Sequence, residues 1–297
     1  MQDSDPRQMC HIPSPAEEIT SLRKRWRHGI VPEAAPILYE GGGRAVLLLH
    51  GFTGSPREFG TLAAALHKGG FTVYAPLLPG HGTDPDDLRR TRADEWIAAA
   101  AGAFDGLSRR GMSVSVTGFS MGGTLAMYLA ATREVEQLLL LAPFIRIYRT
   151  PGAWLSPEVK ARTVGRLARY YRKDRIGGIN DRTALKDHFA YFNMSLQALR
   201  EALKNVGTVR KLMKDITAPA LILHSRGDET VDWRGSEEII ERISSSSKRV
   251  IWFERSNHIL TLDHDRDAVM DCSLAFLKGP IIRHREHRGS SGTGVPS

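Results

Sequence analysis

Short apolar runs alternate with helix-patterned segments along most of the chain, and this alternation restricts the fold more than any other feature of the sequence. The run Ala45–Leu49 is apolar at every position, which is typical of a strand covered on both faces. Strands are predicted at Ala45–Leu49, Phe71–Ala75, Ser113–Thr117, Gln137–Leu141, Ala220–His224 and Arg249–Phe253. Alternating strands and helices predict an α/β fold, with a mainly parallel sheet and helices on both faces.

The helix-patterned segments follow these strands. Ser55 is interpreted as the N-cap of the first helix, with Pro56 at the first helical position, where proline is favoured. Gly69 and Gly70 end this helix. Helices are predicted at Pro56–Lys68, Asp94–Arg110, Met121–Ala131, Gly235–Ile243 and Asp265–Leu277.

The alternation stops between Pro143 and Asp215, where the pattern is helical and contains no clear strand. An insertion at this point of a sheet indicates a helical cap. We therefore predict a core of residues 36–142 and 216–278, a cap of residues 143–215, an N-terminal extension of residues 1–35 and a disordered tail of residues 279–297.

The charge of the chain is unevenly placed. Among 297 residues there are 41 basic and 33 acidic side chains, a formal net charge of +8. The excess lies in Arg23–Arg27, Arg162–Arg175 and Arg283–Arg288. Such clusters attract nucleic acid or anionic lipid. We interpret them as a solvated surface and predict no nucleic-acid partner, with peripheral lipid contact of a basic, apolar cap as the alternative. The oligomeric state stays open.

The two cysteines, Cys10 and Cys272, are too few and too far apart for a disulfide framework. Cys272 lies in an apolar helical pattern, so we expect a buried free thiol. The N-terminal residues lack the apolar stretch of a signal peptide. No window approaches the roughly 18 continuous apolar residues of a membrane span. These features predict a cytoplasmic protein with no integral membrane segment.

The turn Gly118–Gly122, with the sequence Gly-Phe-Ser-Met-Gly, follows a predicted strand and opens a predicted helix. A Gly-x-Ser-x-Gly turn in this setting strains the backbone and projects the serine hydroxyl from the sheet. The helix N-terminus also favours developing negative charge. Ser120 is therefore the predicted nucleophile.

A nucleophilic serine needs a base and a carboxylate that orients it. Asp228 follows the strand that ends at His224, and the carboxyl ends of strands are where such folds place functional groups. Asp232 is the competing acid. His258 follows the last strand and is the predicted base, with His264 as the alternative. His224 itself is interpreted as a core or rim histidine, and the neighbouring Glu229 as solvent-facing.

Stabilising the developing oxyanion requires two backbone N–H groups. The predicted donors are Met121, directly after the nucleophile, and Phe52 in the loop that follows the first predicted strand. Gly51 lets the backbone of this loop approach a substrate. His50 is expected to brace the loop by hydrogen bonds. No metal or cofactor is predicted, because the sequence has neither ligand spacing for zinc nor a phosphate-binding loop.

Several separated motifs in this order resemble one known group. The chain is similar to bacterial carboxylesterases and monoacylglycerol lipases of the α/β-hydrolase superfamily. The resemblance rests on His50–Pro56, Pro79–Thr83, Gly118–Thr124 and Ser256–His258 with Thr261–Asp263. It implies the α/β-hydrolase fold, the triad Ser120, Asp228 and His258, and the oxyanion donors Phe52 and Met121. Relatives usually carry a proline where this chain has Asp232.

Together these observations predict a serine hydrolase that cleaves small-molecule carboxylic esters, either short- or medium-chain acyl esters or monoacylglycerols, through an acyl-enzyme on Ser120. The alternatives are an acyltransferase with the same triad, a peptidase or C–C hydrolase of the same fold, and a non-catalytic ligand receptor. Aromatic residues of the cap such as Trp154, Tyr191 and Phe192 either line an acyl pocket or form the cap's own core.

Overall fold

The computed structural model describes residues 30–148, 170–172, 178–184, 189–191 and 193–279, together with Ser14 and Glu17. Several predictions lie outside the described residues. They concern Cys10, the clusters Arg23–Arg27 and Arg283–Arg288, most of Arg162–Arg175, the side chains of Trp154 and Phe192, and the tail after Gly279.

The described residues form nine strands and seven α-helices. The strands are β1 Ile37–Tyr39, β2 Arg44–Leu49, β3 Thr72–Ala75, β4 Ser113–Phe119, β5 Leu138–Leu141, β6 Tyr170–Arg172, β7 Asn193–Ser195, β8 Ala220–Ser225 and β9 Lys248–Phe253. The helices are α1 Leu62–Lys68, α2 Pro85–Arg90, α3 Ala93–Arg109, α4 Met121–Thr132, α5 Leu196–Leu212, α6 Arg234–Arg242 and α7 Arg266–Lys278.

Seven strands form one sheet in the order β1-β3-β2-β4-β5-β8-β9. Strand β1 is antiparallel to β3, and every other pairing in this sheet is parallel. The predicted mainly parallel sheet is confirmed, and each of the six predicted strands is present. The edge strand β1 was not predicted, because its three residues carry no periodic signal.

Alternate residues of the central strands supply two separate cores. Leu47 and Leu49 of β2 pack with Trp96 of α3 on one face of the sheet. Val46 and Leu48 of the same strand belong to the core on the opposite face. Each fully buried leucine contributes about 1.5–3 kcal/mol of hydrophobic stabilisation. Burial on both faces explains why these strands are apolar at every position.

The predicted helix Pro56–Lys68 is interrupted. A 3₁₀ turn covers Pro56–Phe59 and α1 begins at Leu62. Gly60 between them has a φ of 49°, a conformation that leaves the helix and favours glycine. Ser55 occupies the N-cap position of the 3₁₀ turn, with Pro56 in its first turn as predicted, but its side chain makes no capping hydrogen bond.

The segment between β5 and β8, called here the insertion, spans residues 143–215. Its described part contains the antiparallel strands β6 and β7, so the expectation of no strand was wrong. Helix α5 buries Ala198, Ala202 and Val206 in the same core as α4. This helix therefore belongs to the helical layer on one face of the sheet.

Two smaller observations complete the fold. Ile30 and Ala34, at the end of the predicted N-terminal extension, pack against Leu77. Cys272 on α7 is a free thiol, but it is half-buried and not fully buried as expected. Among the described residues, no helix combines the length and the hydropathy that crossing a membrane requires.

Candidate active site

Ser120 lies at the sharp turn between β4 and α4. Its φ of 52° and ψ of −117° place a non-glycine residue in a strained conformation. A Cβ atom at Gly118 would overlap the carbonyl oxygen of Gly122, and one at Gly122 would overlap the carbonyl oxygen of Leu49. Only glycine fits at these two positions. The Gly-x-Ser-x-Gly pattern is therefore the steric condition for a turn that presents the hydroxyl at the carboxyl edge of the sheet.

The structure brings together the three side chains that the sequence singled out. His258 Nε2 lies 3.0 Å from Ser120 Oγ, and His258 Nδ1 lies 2.6 Å from Asp228 Oδ2. The relative exposure is 7% for Ser120, 6% for His258 and 1% for Asp228. A hydroxyl, an imidazole and a carboxylate thus form a buried row in which the imidazole lies between the other two groups, as a nucleophilic serine requires.

Asp228 is held as a carboxylate by its donors. Its Oδ1 atom accepts hydrogen bonds from Thr230 N and Val231 N, both at 2.8 Å. Burial alone raises the pKa of this carboxyl group. The charge of His258 and the hydrogen bonds from His224 and His258 outweigh that effect, so the pKa lies well below its ordinary value.

The alternative acid, Asp232, and the alternative base, His264, have other partners. The carboxylate of Asp232 pairs with Arg146 at 3.6 Å and with Arg234 at 3.5 Å. His264 is exposed and donates its backbone N–H to Asp263. Glu229 is exposed, as predicted.

The loop His50–Gly54 follows β2 and reaches the same edge of the sheet. Leu78 N donates to His50 Nε2 at 3.0 Å, so the ring proton is on Nδ1, which donates to Gly51 O at 3.0 Å. The expected bracing role of His50 is confirmed. Burial, and then the charge of neighbouring His81, keep the pKa of His50 well below its ordinary value, so this ring is neutral.

Two further features of this loop were not apparent from the sequence. Gly51 N donates to the buried carboxylate of Glu58 at 2.7 Å. Thr53 has a φ of 67°, in the left-handed region that a β-branched residue rarely adopts. The loop is therefore held in a conformation that its own sequence does not favour, and its neighbours supply the restraint.

Comparison with known proteins shows what kind of chain carries this geometry. The family model described as serine aminopeptidase, S33, matches residues 43–265. The chain belongs to the S33 family of α/β hydrolases. A thermostable monoacylglycerol lipase of Bacillus sp. (strain H-257) is 32% identical over 253 residues, which are 84% of this chain and 96% of the relative. A carboxylesterase of Bacillus subtilis (strain 168) is 27% identical, over 82% of this chain and 96% of the relative.

Solved structures agree with this placement. A structure of the metagenome-derived lipolytic enzymes LipS and LipT superposes with a TM-score of 0.73 and 28% identity, covering 84% of this chain and 98% of that one. The monoacylglycerol lipase of Paleococcus ferrophilus, at 22% identity and a TM-score of 0.67, shows the same fold. The α/β-hydrolase fold predicted from the motifs is confirmed.

In this S33 hydrolase the insertion contacts the loop His50–Gly54. Tyr191 N donates to Thr53 O at 3.0 Å. The phenol of Tyr191 accepts from Thr83 N at 2.7 Å and donates to Gly80 O at 3.2 Å. Burial raises the pKa of this phenol to about 12, so it remains an O–H donor. Tyr191 thus ties the strained residue of one loop to a second loop.

The insertion also contacts the loop of His258, through Asp263. This fully buried carboxylate accepts from Asn180 N at 2.8 Å and Asp181 N at 2.9 Å in the insertion, and from Asn257 N at 2.7 Å beside the imidazole. Ile259 N donates to Gly178 O at 2.7 Å. Sequence reasoning assigned Asp263 only to a family motif. Its role as an anchor becomes visible only when residues far apart in the chain are brought together.

Within the part of the chain that the structure describes, no cluster of three or more His, Cys, Asp or Glu side chains is arranged to hold a metal ion.

Proposed function

We propose that this chain hydrolyses carboxylic esters through an acyl-enzyme formed on Ser120. The observation that carries the proposal is the alignment of Ser120 Oγ, 3.0 Å from His258 Nε2, with Asp228 Oδ2 2.6 Å from the other ring nitrogen. This geometry suits a hydroxyl that loses its proton while it attacks a carbonyl carbon.

In the first half of the reaction, His258 Nε2 takes the proton of Ser120 Oγ as the oxygen attacks the ester. The imidazole becomes positively charged, and Asp228 steadies that charge and keeps the Nδ1 proton in place. His258 then donates its new proton to the leaving alcohol. In the second half, a water molecule replaces the alcohol, and the same proton transfers release the acid.

The oxyanion donors in this proposal are the backbone amides of Phe52 and Met121. Met121 begins α4, so its N–H points along the helix axis at the end where negative charge is favoured. Phe52 lies between Gly51, which is bound to Glu58, and Thr53, which is bound to Tyr191. A fixed donor stabilises developing charge without reorganising during the reaction.

The proposed substrates are monoacylglycerols and esters of short or medium acyl chains. The relatives named monoacylglycerol lipase and carboxylesterase, each matched over more than four fifths of this chain, support this class. We propose that residues 143–215 contain a cap over Ser120, to which the described residues before α5 contribute. Support comes from Tyr191 and Gly178, which bind the two loops on either side of the nucleophile.

A hydrolysis profile tests the proposal. Initial rates are measured for p-nitrophenyl esters of graded acyl length and for monoacylglycerols, with Ser120→Ala as the control. We expect turnover by the wild-type protein and a loss of at least roughly 10³-fold in the variant. Retained activity in Ser120→Ala would remove this serine from the mechanism.

A peptidase is the second candidate, because the family model is described as a serine aminopeptidase. An aminoacyl p-nitroanilide assayed beside the matching p-nitrophenyl ester separates the two activities. Faster turnover of the anilide would favour the peptidase. C–C bond hydrolysis and acyl transfer use the same triad. Acyl transfer is measured by the ratio of new ester to free acid formed in the presence of an added alcohol.

We also propose that the protein acts in the cytoplasm, with peripheral contact to lipid as the alternative to a solvated basic surface. Support comes from the sparse cysteines, of which Cys272 is a free thiol, and from the net charge of +8. Fractionation of source cells tests the location. Sedimentation with anionic and with neutral vesicles tests the contact with lipid. We expect binding to the anionic vesicles alone.

A further inference from the structure

Asp228 has a second histidine partner. His224, the fifth residue of β8, places its Nε2 atom 3.0 Å from Asp228 Oδ2, the same oxygen that lies 2.6 Å from His258 Nδ1. The ring of His224 is fully buried. One carboxylate oxygen thus lies between two imidazoles, and the proposed reaction uses only one of them.

The partners of His224 determine where its proton lies. An ionised carboxylate only accepts hydrogen bonds, so Nε2 must carry the proton that His224 shares with Asp228. The other nitrogen, Nδ1, lies 2.6 Å from the hydroxyl of Ser236 on α6. In the neutral ring the hydroxyl donates to Nδ1. The carboxylate of Asp228 therefore selects the tautomer, and Ser236 supports it by donating to the unprotonated Nδ1 atom.

These contacts form one continuous chain of hydrogen bonds. It runs from Ser236 through His224, Asp228 and His258 to Ser120, across the ends of three strands. On Asp228, the Oδ1 atom is held by two backbone amides, whereas Oδ2 is held only by the two imidazoles among the contacts described. Without His224, the oxygen that faces the base would keep a single donor.

Apart from Asp228, the charged side chains near His224 described below form ion pairs with one another. Trp252 of β9 stacks on its ring at 6.2 Å between centroids. The guanidinium of Arg226 lies over that indole at 4.9 Å and pairs with Glu254 at 3.6 Å. Asp232, at the start of α6, pairs with Arg146 and Arg234. The carboxylate that His224 itself contacts is Asp228.

We propose that His224 is a positioning residue for the hydrolysis proposed above, and that the hydroxyl of Ser236 holds its ring in place. The Nε2–H group fixes the direction of the Asp228 carboxylate and withdraws electron density from the oxygen that faces His258. A histidine that only filled space in the core would influence stability but not the pH dependence of the reaction.

The test compares two substitutions at one position. His224→Gln keeps an N–H donor at the same distance from Cβ, whereas His224→Leu removes it. We expect His224→Leu to lower kcat/KM by about 10- to 100-fold, since a hydrogen bond to a charged group is lost. We expect the glutamine variant to recover to within about 5-fold of wild type, because the donor is restored.

The pH profile supplies the readout that a packing role would not move. With one donor fewer, Asp228 stabilises the protonated ring of His258 more strongly. The acid limb of kcat/KM against pH should therefore move to higher pH in His224→Leu, by about 0.5–1 unit. It should return in His224→Gln. An acid limb at the same pH as in the wild type would overturn the proposal. Equal losses of kcat/KM in both variants, at unchanged melting temperature, would also overturn it.

A milder pair of variants covers the case in which His224→Leu does not fold. Ser236→Ala removes the hydroxyl that holds the His224 ring, and we expect kcat/KM to fall by about 3- to 10-fold. Ser273→Ala is the matched control, since Ser273 is equally buried but donates to Val269 O on α7, at 2.6 Å. Equal kinetics in the two alanine variants would contradict the proposed role of Ser236.

A measurement independent of turnover completes the test. In ¹⁵N-labelled Ser120→Ala protein, imidazole nitrogen shifts should show His224 protonated at Nε2, and the Nδ1 shift should change when the Ser236→Ala substitution removes its hydrogen bond. A ring protonated only at Nδ1 would overturn the inference. Absence of ester turnover by wild type would instead count against the proposed function and leave the tautomer result standing.

Discussion

On one side of Ser120 the imidazole of His258 meets an ionised carboxylate, and on the other side the loop His50–Gly54 is braced by a neutral ring. Asp228 is held by groups of its own loop, of β8 and of the His258 loop. The opposite loop depends on Leu78, Glu58 and Tyr191, which come from three separate segments. The acid–base side therefore depends on a charged carboxylate between two imidazoles, and the oxyanion side on hydrogen bonds supplied by several segments.

The two sides should also respond differently to acid. The pKa of Asp228 is lowered in the folded protein, so its contribution to stability is present above its ordinary value of 3.8 and is lost only below that. His81, beside His50, has a pKa lowered by burial from 6.5 to about 4. Between those pH values the unfolded chain binds a proton that the folded protein excludes. Acidification therefore weakens the oxyanion side first.

The largest expected effect removes the charge from the acid–base side. Asp228→Asn should lower kcat by roughly 10³- to 10⁴-fold, because the amide no longer stabilises a charged imidazole or its productive tautomer. Asp232→Asn is the matched control and should stay within about 3-fold, since its partly exposed pairs with arginine contribute little. Steady-state kinetics measures both. A larger loss in Asp232→Asn would move the acid to that residue.

An intermediate effect concerns the acid sensitivity of the oxyanion side. Protonation of the unfolded chain at His81 should account for about 2 kcal/mol of the stability that the wild type loses between pH 7 and pH 5. His81→Asn keeps a donor for Pro79 O, which His81 Nδ1 contacts at 3.1 Å, but has no titrating ring. Urea unfolding of His81→Asn at both pH values should show that this contribution to the pH dependence is absent.

His67→Asn supplies the control for that measurement, because it makes the same substitution at an exposed histidine. The account of His81 fails if His81→Asn and His67→Asn lose the same amount of stability on acidification.

The smallest expected effect loosens the oxyanion loop without touching the triad. Tyr191→Phe removes the hydrogen bonds of the phenol to Thr83 and Gly80 but keeps the backbone bond to Thr53. We expect kcat to fall by about 3- to 10-fold, as one or two neutral hydrogen bonds are lost. Tyr171→Phe, at a side chain that is 54% exposed, should change nothing. Equal rates in both variants would show that the phenol does not position the loop.

The features that could be predicted from the sequence are those that a local sequence pattern indicates. The strands are apolar at every position because both faces are covered, and Ser120 is marked by glycines that only a tight turn requires. Asp228 and His258 could be placed because each directly follows a strand. Their prediction needed the strand pattern, the glycine turn and the chain order.

The parts that were missed depend on contacts between distant segments. Tyr191 reaches Thr53 across more than a hundred residues, and Asp263 collects amides from two loops. Gly60 ends a helix early through a left-handed φ that the apolar pattern does not report. His224 was interpreted as a core histidine, and only its position beside Asp228 shows a further role. None of these contacts has a periodic signature.

The most direct test of the central claim is covalent labelling of the nucleophile. A fluorophosphonate ester reacts with an activated serine and mimics the tetrahedral intermediate, so intact-mass analysis followed by peptide mapping locates the attacked residue. We predict a single adduct on Ser120, formed rapidly in the wild type and lost in His258→Ala. An adduct on another residue, or equal labelling in His258→Ala, would contradict the claim that Ser120 is activated by His258.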